Sequence, residues 1–252
     1  ADLQGYYAQT TFIDDMVARV LAAIAARGLA EDTIVLFSSD HGDMHGSHGV
    51  YKKQWPWDES IKVPLLLRYP RRIRPGTVCR FPVSAIDLMP TLLGFAGVPI
   101  PAAVEGVNLA PAIEDASKPA PDSVLLMNPC PFSIGDPRSP DQFPDFRGMR
   151  MEYRGLRTSR HTYVRTIDQP WLLYDNANDP FQLVNLIQDP GCRRILETLE
   201  ADMAAHMKRI GDDFLPKEEY YRIYGIEIDH PGKVKGIIDN PYEQRREVAW
   251  LD

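Results

Sequence analysis

The feature that most constrains the fold is a short apolar strand that follows an amphipathic helix. Between residues 6 and 28 apolar side chains recur every three or four residues, and Gly28 is placed to end the helix. Thr33 to Ser38 is an apolar, β-branched run without alternation, which is typical of a strand covered on both faces. We expect the helix to pack on a sheet, and the succession of helix and buried strand indicates an α/β fold.

Later segments contain further strand candidates, and after a loop the predicted fold changes to a small antiparallel sheet. Residues 63–67 and 123–127 are further strand candidates, and a capping box at Ser84 and Asp87 opens a helix that ends at Gly94 or Gly97. A Pro-rich loop follows at residues 129–147. Short strands joined by tight turns then predict a small antiparallel sheet, and Asp189-Pro190 begins a helix that Gly211 ends. The strands are predicted at residues 150–158, 161–167 and 171–175.

Composition excludes several classes of protein. With 28 Lys+Arg against 35 Asp+Glu the net charge is −7, which argues against a nucleic acid partner. No window is apolar enough for a membrane span, and the sequence does not distinguish a periplasmic, secreted or cytoplasmic location. Cys79, Cys130 and Cys192 are too few for a disulfide framework or a zinc site, although one bridge stays open.

The segment that carries chemistry follows the first predicted strand, where an open α/β sheet binds its ligands. Between Ser38 and Gly49 the chain places two Asp and three His among glycines that allow close backbone approach. A metal ion or a phosphate-like oxyanion is the natural occupant. The spacing of His41 and His45 suits a zinc helix, but the glycines oppose a helix and no Glu follows His41.

In this segment and beyond it the chain resembles the sulfatase family of the alkaline-phosphatase superfamily. The resemblance extends over about residues 5 to 213 and includes the helix from Val83 to Gly97 and the segment Leu173-Tyr174-Asp175. Its densest motifs are Ser39-Asp40-His41-Gly42, Gly46-Ser47-His48-Gly49, Lys53, the aromatic-acidic pair Trp57-Asp58 and Val63-Pro64.

The resemblance implies a fold and a division of the chain. The fold would be α/β, the C-terminal part of an alkaline-phosphatase-like sandwich with a mixed sheet covered by helices. A small antiparallel subdomain with a C-terminal helix would follow. The predicted division is residues 1–148 for the catalytic portion, 149–215 for the small subdomain and 216–252 for a C-terminal extension.

The resemblance also implies site residues. Asp40 and His41 would bind one divalent cation, commonly Ca²⁺, with Mg²⁺ or Mn²⁺ as alternatives; His41 would otherwise orient the nucleophile. Lys53, five residues before Asp58, would bind a sulfate oxygen, although its neighbour Lys52 is an alternative in the alignment. His48 would be a proton donor or substrate contact, or else would make a structural hydrogen bond.

Two parts of the family pattern are absent from this sequence. No cysteine or serine stands in the Cys/Ser-x-Pro-x-Arg motif, whose first residue becomes the formylglycine nucleophile, and the carboxylate ligands of the family's first half are missing. We therefore expect a C-terminal portion of a longer sulfatase, inactive alone, whose own N-terminal segment is its partner and carries the formylglycine. Asp87 is expected to cap a helix, and His45 has no counterpart to suggest a role.

The function implied is a sulfuric ester hydrolase, arylsulfatase-like, acting with metal assistance on a small aryl or sugar sulfate. The alternatives are a phosphonate or phosphate ester hydrolase of the same superfamily and a non-catalytic metal-binding remnant. Trp55 and Trp57 would line a substrate pocket or belong to the core. Association into a homo-oligomer is left open.

Overall fold

The computed structural model describes residues 2–130, 152–230 and 233–234. The chain divides into two compact units, residues 1–40 with 63–122, and residues 41–62 with 123–252. Most of the predicted loop at 129–147 and most of the C-terminal extension lie outside the described residues. The α/β fold class is confirmed, and the three-part division at residues 148 and 215 stays a prediction.

The first unit begins with the predicted helix. Helix α1 spans Asp2–Ala26, and Gly28 ends it with a φ of 70°, in the left-handed region that glycine adopts without strain. Strands β1 (Val35–Phe37) and β2 (Leu66–Arg68) follow and pair antiparallel, with Leu36 opposite Leu67. The unit also contains helices α3 (Leu88–Ala96) and α4 (Ala110–Glu114).

Two expectations about burial in this unit were wrong. The strand predicted to be covered on both faces is half-buried, because among the described residues β1 pairs with β2 alone in a two-stranded ribbon. Leu66 is 65% exposed in that ribbon. Helix α1 was expected to pack on a sheet, but Phe12 and Val20 are exposed and only a few of its side chains are half-buried.

The predicted capping box is present, and its Asp87 carboxylate accepts a second backbone hydrogen bond. The Ser84 backbone N–H donates to Asp87 Oδ2 over 2.9 Å, which stabilises the turn that leads into α3. The other oxygen, Asp87 Oδ1, accepts from the backbone N–H of Val107 over 2.8 Å. Asp87 is therefore a buried structural carboxylate, as the sequence predicted.

The second unit is built on the predicted antiparallel sheet, which also includes residues 123–128, a strand that was predicted with the earlier α/β segments rather than with the small sheet. Its four strands lie in chain order, and helix α5 begins after Asp189, whose side chain accepts from the Gly191 N–H. Gly211 ends α5 with a φ of 68°. The elements of this unit are α2 (Asp58–Ile61), β3 (Ser123–Asn128), β4 (Tyr153–Thr158), β5 (His161–Thr166), β6 (Pro170–Asp175), α5 (Arg193–Ile210), α6 (Lys217–Tyr224), β7 (Ile228–His230) and β8 (Lys233–Val234).

Two apolar clusters form the core of this unit. One packs apolar side chains of residues 44–57 against the sheet, and the other packs α5 against the sheet. The first contains Met44, Val50, Trp55, Trp57, Tyr153, Val164, Leu172 and Tyr174. The second contains Leu156, Tyr163, Leu173, Leu199 and Met203. The segment that carries the site motifs is therefore part of a core.

Two remaining points concern membranes and cysteines. Among the described residues no helix is both long and apolar enough to cross a membrane. Cys79, Cys130 and Cys192 are free thiols, so the one bridge left open by the sequence is not formed.

Candidate functional site

The candidate site is built on residues 41–62, which we call the site loop. Backbone hydrogen bonds close it on itself, from Met44 N to Lys52 O and from Gly46 N to Val50 O. Several non-glycine residues of the loop have positive φ, a conformation that persists only where the surroundings impose it and that clusters at functional sites. They are His45, His48, Lys52 and Gln54, with φ of 45°, 53°, 65° and 75°.

The start and the end of the site loop touch through their backbones. The Gly42 N–H donates over 2.8 Å to the carbonyl oxygen of Ser60, which lies in helix α2. A Cβ at position 42 would lie 1.9 Å from the Glu59 carbonyl oxygen, so only glycine fits there. This close approach explains a glycine directly after His41.

His41 and Lys53 are brought together by this closure. Lys53 Nζ lies 2.8 Å from His41 Nε2, and His41 Nδ1 lies 2.7 Å from the Gly42 carbonyl oxygen. A carbonyl oxygen only accepts hydrogen bonds, so Nδ1 carries the proton and Nε2 presents a lone pair to the Lys53 ammonium group. The structure thus pairs His41 with Lys53 rather than with its neighbour Lys52.

His48 is held elsewhere in the same loop. Its ring stacks on the Trp57 indole, with centroids 4.6 Å apart and an interplanar angle of 13°. Its Nε2 lies 3.8 Å from a Glu59 carboxylate oxygen. The Trp57 Nε1–H donates over 3.1 Å to the hydroxyl of Tyr174, whose pKa is raised by burial. The His48 ring therefore packs on an indole that is itself held by a hydrogen bond to Tyr174.

The other loop residues singled out by the sequence have simpler surroundings. Trp55 and Trp57 are buried in the first core cluster, which favours the core interpretation over a substrate pocket. The His45 N–H donates to Asp43 Oδ1 over 2.9 Å, a local turn contact. Trp55, Trp57 and His45 therefore make structural contacts in the site loop.

Asp40 and His41 have the donor chemistry of ligands for a divalent cation. Asp40 ends the first unit, where the Ser39 hydroxyl donates to its Oδ1 over 3.3 Å, and His41 begins the second. A carboxylate oxygen suits Ca²⁺ or Mg²⁺, and His41 Nε2 is the ring nitrogen with a lone pair. Within residues 2–130, 152–230 and 233–234 no group of three or more His, Cys, Asp or Glu is arranged to hold a metal.

The end of the site loop is tied to the sheet by polar side chains that the sequence did not single out. Arg157 Nε and Nη2 donate to the two carboxylate oxygens of Asp58 over 3.2 and 3.0 Å. The Asp58 N–H donates to Gln182 Oε1 over 2.8 Å, and Asn128 Nδ2 donates to Gln54 O over 3.1 Å. These partners lie 74 to 124 residues away in the chain, so no local motif connects them to the loop.

Comparison with protein families and curated proteins gives a consistent result. Residues 1–98 match the family model described as Sulfatase. The chain is 37% identical over 226 residues to an ulvan-active sulfatase from Formosa agariphila, an alignment that covers 88% of this chain and 42% of that protein.

Solved structures agree with the sequence comparison. A structure described as in complex with its substrate, D-glucosamine-2-N,6-O-disulfate, is 25% identical with a TM-score of 0.65 over 82% of this chain and 40% of the other. A phosphonate monoester hydrolase from Silicibacter pomeroyi is 28% identical with a TM-score of 0.64, over 90% of this chain and 43% of the other. The chain thus spans about two fifths of the length of the relatives it matches.

Proposed function

We propose that this chain, which belongs to the sulfatase family, is part of a hydrolase that cleaves the sulfate ester of a sulfated sugar. The observation that carries the proposal is the pairing of Lys53 Nζ with His41 Nε2 at 2.8 Å in a closed, glycine-dependent loop. Similarity to an ulvan-active sulfatase and to a structure with a disulfated glucosamine supports the substrate class.

In the proposed mechanism Lys53 binds an oxygen of the sulfate group. Its ammonium group stabilises the negative charge that develops on the sulfuryl oxygens as the ester bond breaks. Asp40 and His41 would hold a divalent cation, which would supply Lewis-acid chemistry to the sulfate group. His41 Nε2 would then face the cation instead of Lys53, which would leave the Lys53 ammonium group free to bind the sulfate oxygen. The 252 residues contain no candidate nucleophile motif, so we propose that a formylglycine is supplied by a segment outside them.

His48 is the proposed contact to the leaving-group oxygen. Stacking on Trp57 and the nearby Glu59 carboxylate hold its ring in one orientation, which a proton donor requires. A sugar alkoxide is a poor leaving group and needs a proton, whereas a nitrophenolate departs without one. The role of His48 is therefore testable by comparing the two kinds of substrate.

The experiment uses the full-length protein that contains this chain, assayed on sulfated monosaccharides and on 4-nitrophenyl sulfate. Lys53→Ala should lower kcat on both substrates by about 10²–10³-fold, because it removes charge stabilisation from the transition state. Lys52→Ala is the matched control, since it removes the neighbouring lysine and should leave kcat within twofold. Equal losses in the two variants would contradict the assignment of Lys53.

His48→Gln should lower kcat on the sugar sulfate by about 10²-fold or more and on the nitrophenyl ester much less. Equal small effects on both substrates would mean that His48 is structural. A phenylphosphonate monoester is included because one structural relative is a phosphonate monoester hydrolase. Higher kcat/KM on that ester would favour the phosphonate reaction, and no turnover of any ester would favour a non-catalytic metal-binding protein.

A further inference from the structure

Three side chains from outside the site loop bind the segment that follows Lys53, two of them through its backbone and one through a side chain. On one side of the lysine, Asn128 at the end of β3 donates from Nδ2 to the carbonyl oxygen of Gln54 over 3.1 Å. Further along the loop, the Tyr174 hydroxyl of β6 accepts from Trp57 Nε1 over 3.1 Å. Gln182, in the turn after β6, accepts from the Asp58 N–H over 2.8 Å. The sheet and the turn after β6 therefore make three hydrogen bonds to residues 54–58.

The surroundings of Gln182 fix the orientation of its side-chain amide. Its side chain is buried, with 1% of the residue exposed, and its φ of 55° is unusual for a glutamine. Its Nε2 donates to Asn176 Oδ1 over 2.8 Å and to Thr162 Oγ1 over 3.0 Å, and lies 3.4 Å from Asp58 Oδ1. The carboxylate and amide oxygens only accept, so the amide has one possible orientation, with Oε1 toward the Asp58 N–H.

We propose that Gln182 and Asn128 are positioning residues that place the Lys53 ammonium group beside His41. Lys53 stands between Lys52 and Gln54, which both have positive φ, a pair of conformations that the loop does not favour by itself. Hydrogen bonds at Gln54 O and at the Asp58 N–H supply the restraint that keeps this backbone in place. The assignment rests on the proposed role of Lys53 as the sulfate-binding group.

The turn that contains Gln182 offers a matched control. Asn185 is also an amide side chain with two hydrogen bonds to the sheet, accepting from Leu173 N over 3.0 Å and donating to Trp171 O over 2.9 Å. Those bonds join the turn to β6 instead of to the site loop. Removing Asn185 therefore loosens the turn, while the hydrogen bonds to residues 54–58 stay.

The experiment measures the His41 imidazole nitrogens by long-range ¹H–¹⁵N spectra of the full-length protein that contains this chain, labelled at histidine and with chelator present. The His41 signals are assigned with His41→Gln, and Lys53→Ala provides the spectrum of a ring without its lysine partner. Gln182→Met and Asn128→Ala should each move the Nε2 resonance at least halfway toward its position in Lys53→Ala. Asn185→Ala should leave it at the wild-type position.

Folded Gln182→Met and Asn128→Ala proteins with wild-type His41 signals would overturn the proposal. If Gln182→Met does not fold, as judged by circular dichroism, Asn128→Ala decides alone. Loss of folding in both variants would assign a purely structural role and would also overturn it. The spectra need no turnover, so a full-length protein inactive on sulfate esters would refute the proposed function without changing this result.

Discussion

The site loop is rich in polar residues and glycine and the two-stranded ribbon β1–β2 is mostly apolar, yet the apolar side chains of the loop are the better buried. In the loop, Met44 and Val50 are buried against the sheet of the second unit, and Gly42 contacts backbone directly. In the ribbon, Leu66 is 65% exposed and Phe37 36% exposed, although both strands are apolar. The difference teaches that an apolar pattern predicts the strand, whereas burial depends on the elements that cover it.

The ion pairs of the two units also differ in burial. In the second unit Arg154 is completely buried, pairs with the Asp212 carboxylate and lies over the Phe214 ring at 4.6 Å. Burial raises the pKa of Asp212, but hydrogen bonds from Arg154 and Tyr220 outweigh it and lower the pKa. In the first unit Arg72 instead makes its ion pair with Glu114 at a half-exposed position. The Arg154–Asp212 pair of the second unit is therefore much more deeply buried than the Arg72–Glu114 pair of the first unit.

The largest predicted effect is on this buried ion pair. Arg154→Met should lower the free energy of unfolding by about 3–5 kcal/mol, because the Asp212 carboxylate is left buried without its cation. The exposed pair of Arg193 and Glu197 is the control, and Arg193→Met should cost less than about 1 kcal/mol. Urea unfolding monitored by tryptophan fluorescence measures both. Equal costs would mean that burial does not separate the two pairs.

A second test compares leucines of the two regions. Leu156→Ala should cost about 2–5 kcal/mol, since Leu156 is 0% exposed in the second core cluster. Leu66→Ala in the ribbon should change stability by about 0.5 kcal/mol or less. Urea unfolding followed by far-UV circular dichroism reports both units. A cost for Leu66→Ala close to that for Leu156→Ala would break the comparison, because the ribbon would then be covered in solution.

A third test uses two glycines and predicts effects of opposite sign. Gly42→Ala should destabilise the chain by about 1–3 kcal/mol, because its Cβ would meet the Glu59 carbonyl oxygen. Gly5→Ala, inside helix α1 with open space around it, should stabilise by about 0.5–1 kcal/mol. Urea unfolding measures both changes. A neutral Gly42→Ala would show that the loop does not need its close closure at Ser60.

The smallest effect is a pH dependence in the second unit. Hydrogen bonds from the Arg160 guanidinium group lower the pKa of Asp175 from its usual 3.8 to about 2. Because the folded pKa is the lower one, this carboxylate contributes stability above about pH 4 that is lost as the pH falls toward 2. The difference in urea midpoint between wild type and Asp175→Asn should therefore shrink from pH 6 to pH 3.

Arg160→Gln checks the cause of that dependence. Without the guanidinium group the pKa of Asp175 should return toward its usual value, and the acid-side loss should shrink as it does in Asp175→Asn. The exposed position of Arg160 keeps both effects small. A difference in midpoint that stays constant between pH 6 and pH 3 would contradict the assignment to this pair.

Much of the fold was predictable because its signals are local. The helix end at Gly28, the capping box at Ser84 and Asp87, and the start of α5 after Asp189 depend on residues within one turn of each other. The three short strands of the small sheet were predicted to within a few residues by their length and by the turns between them. The resemblance to the sulfatase family is confirmed by the comparisons.

By itself, the sequence determined most of the element types and the resemblance to the sulfatase family. Only the tertiary structure decided that Lys53 pairs with His41, and that Asn128 and Gln182 hold the backbone on which Lys53 stands. The physical reason is that caps, turns and periodicity act between neighbours in the chain. A hydrogen bond between residues 124 positions apart leaves no local pattern, and it exists only once the sheet has formed.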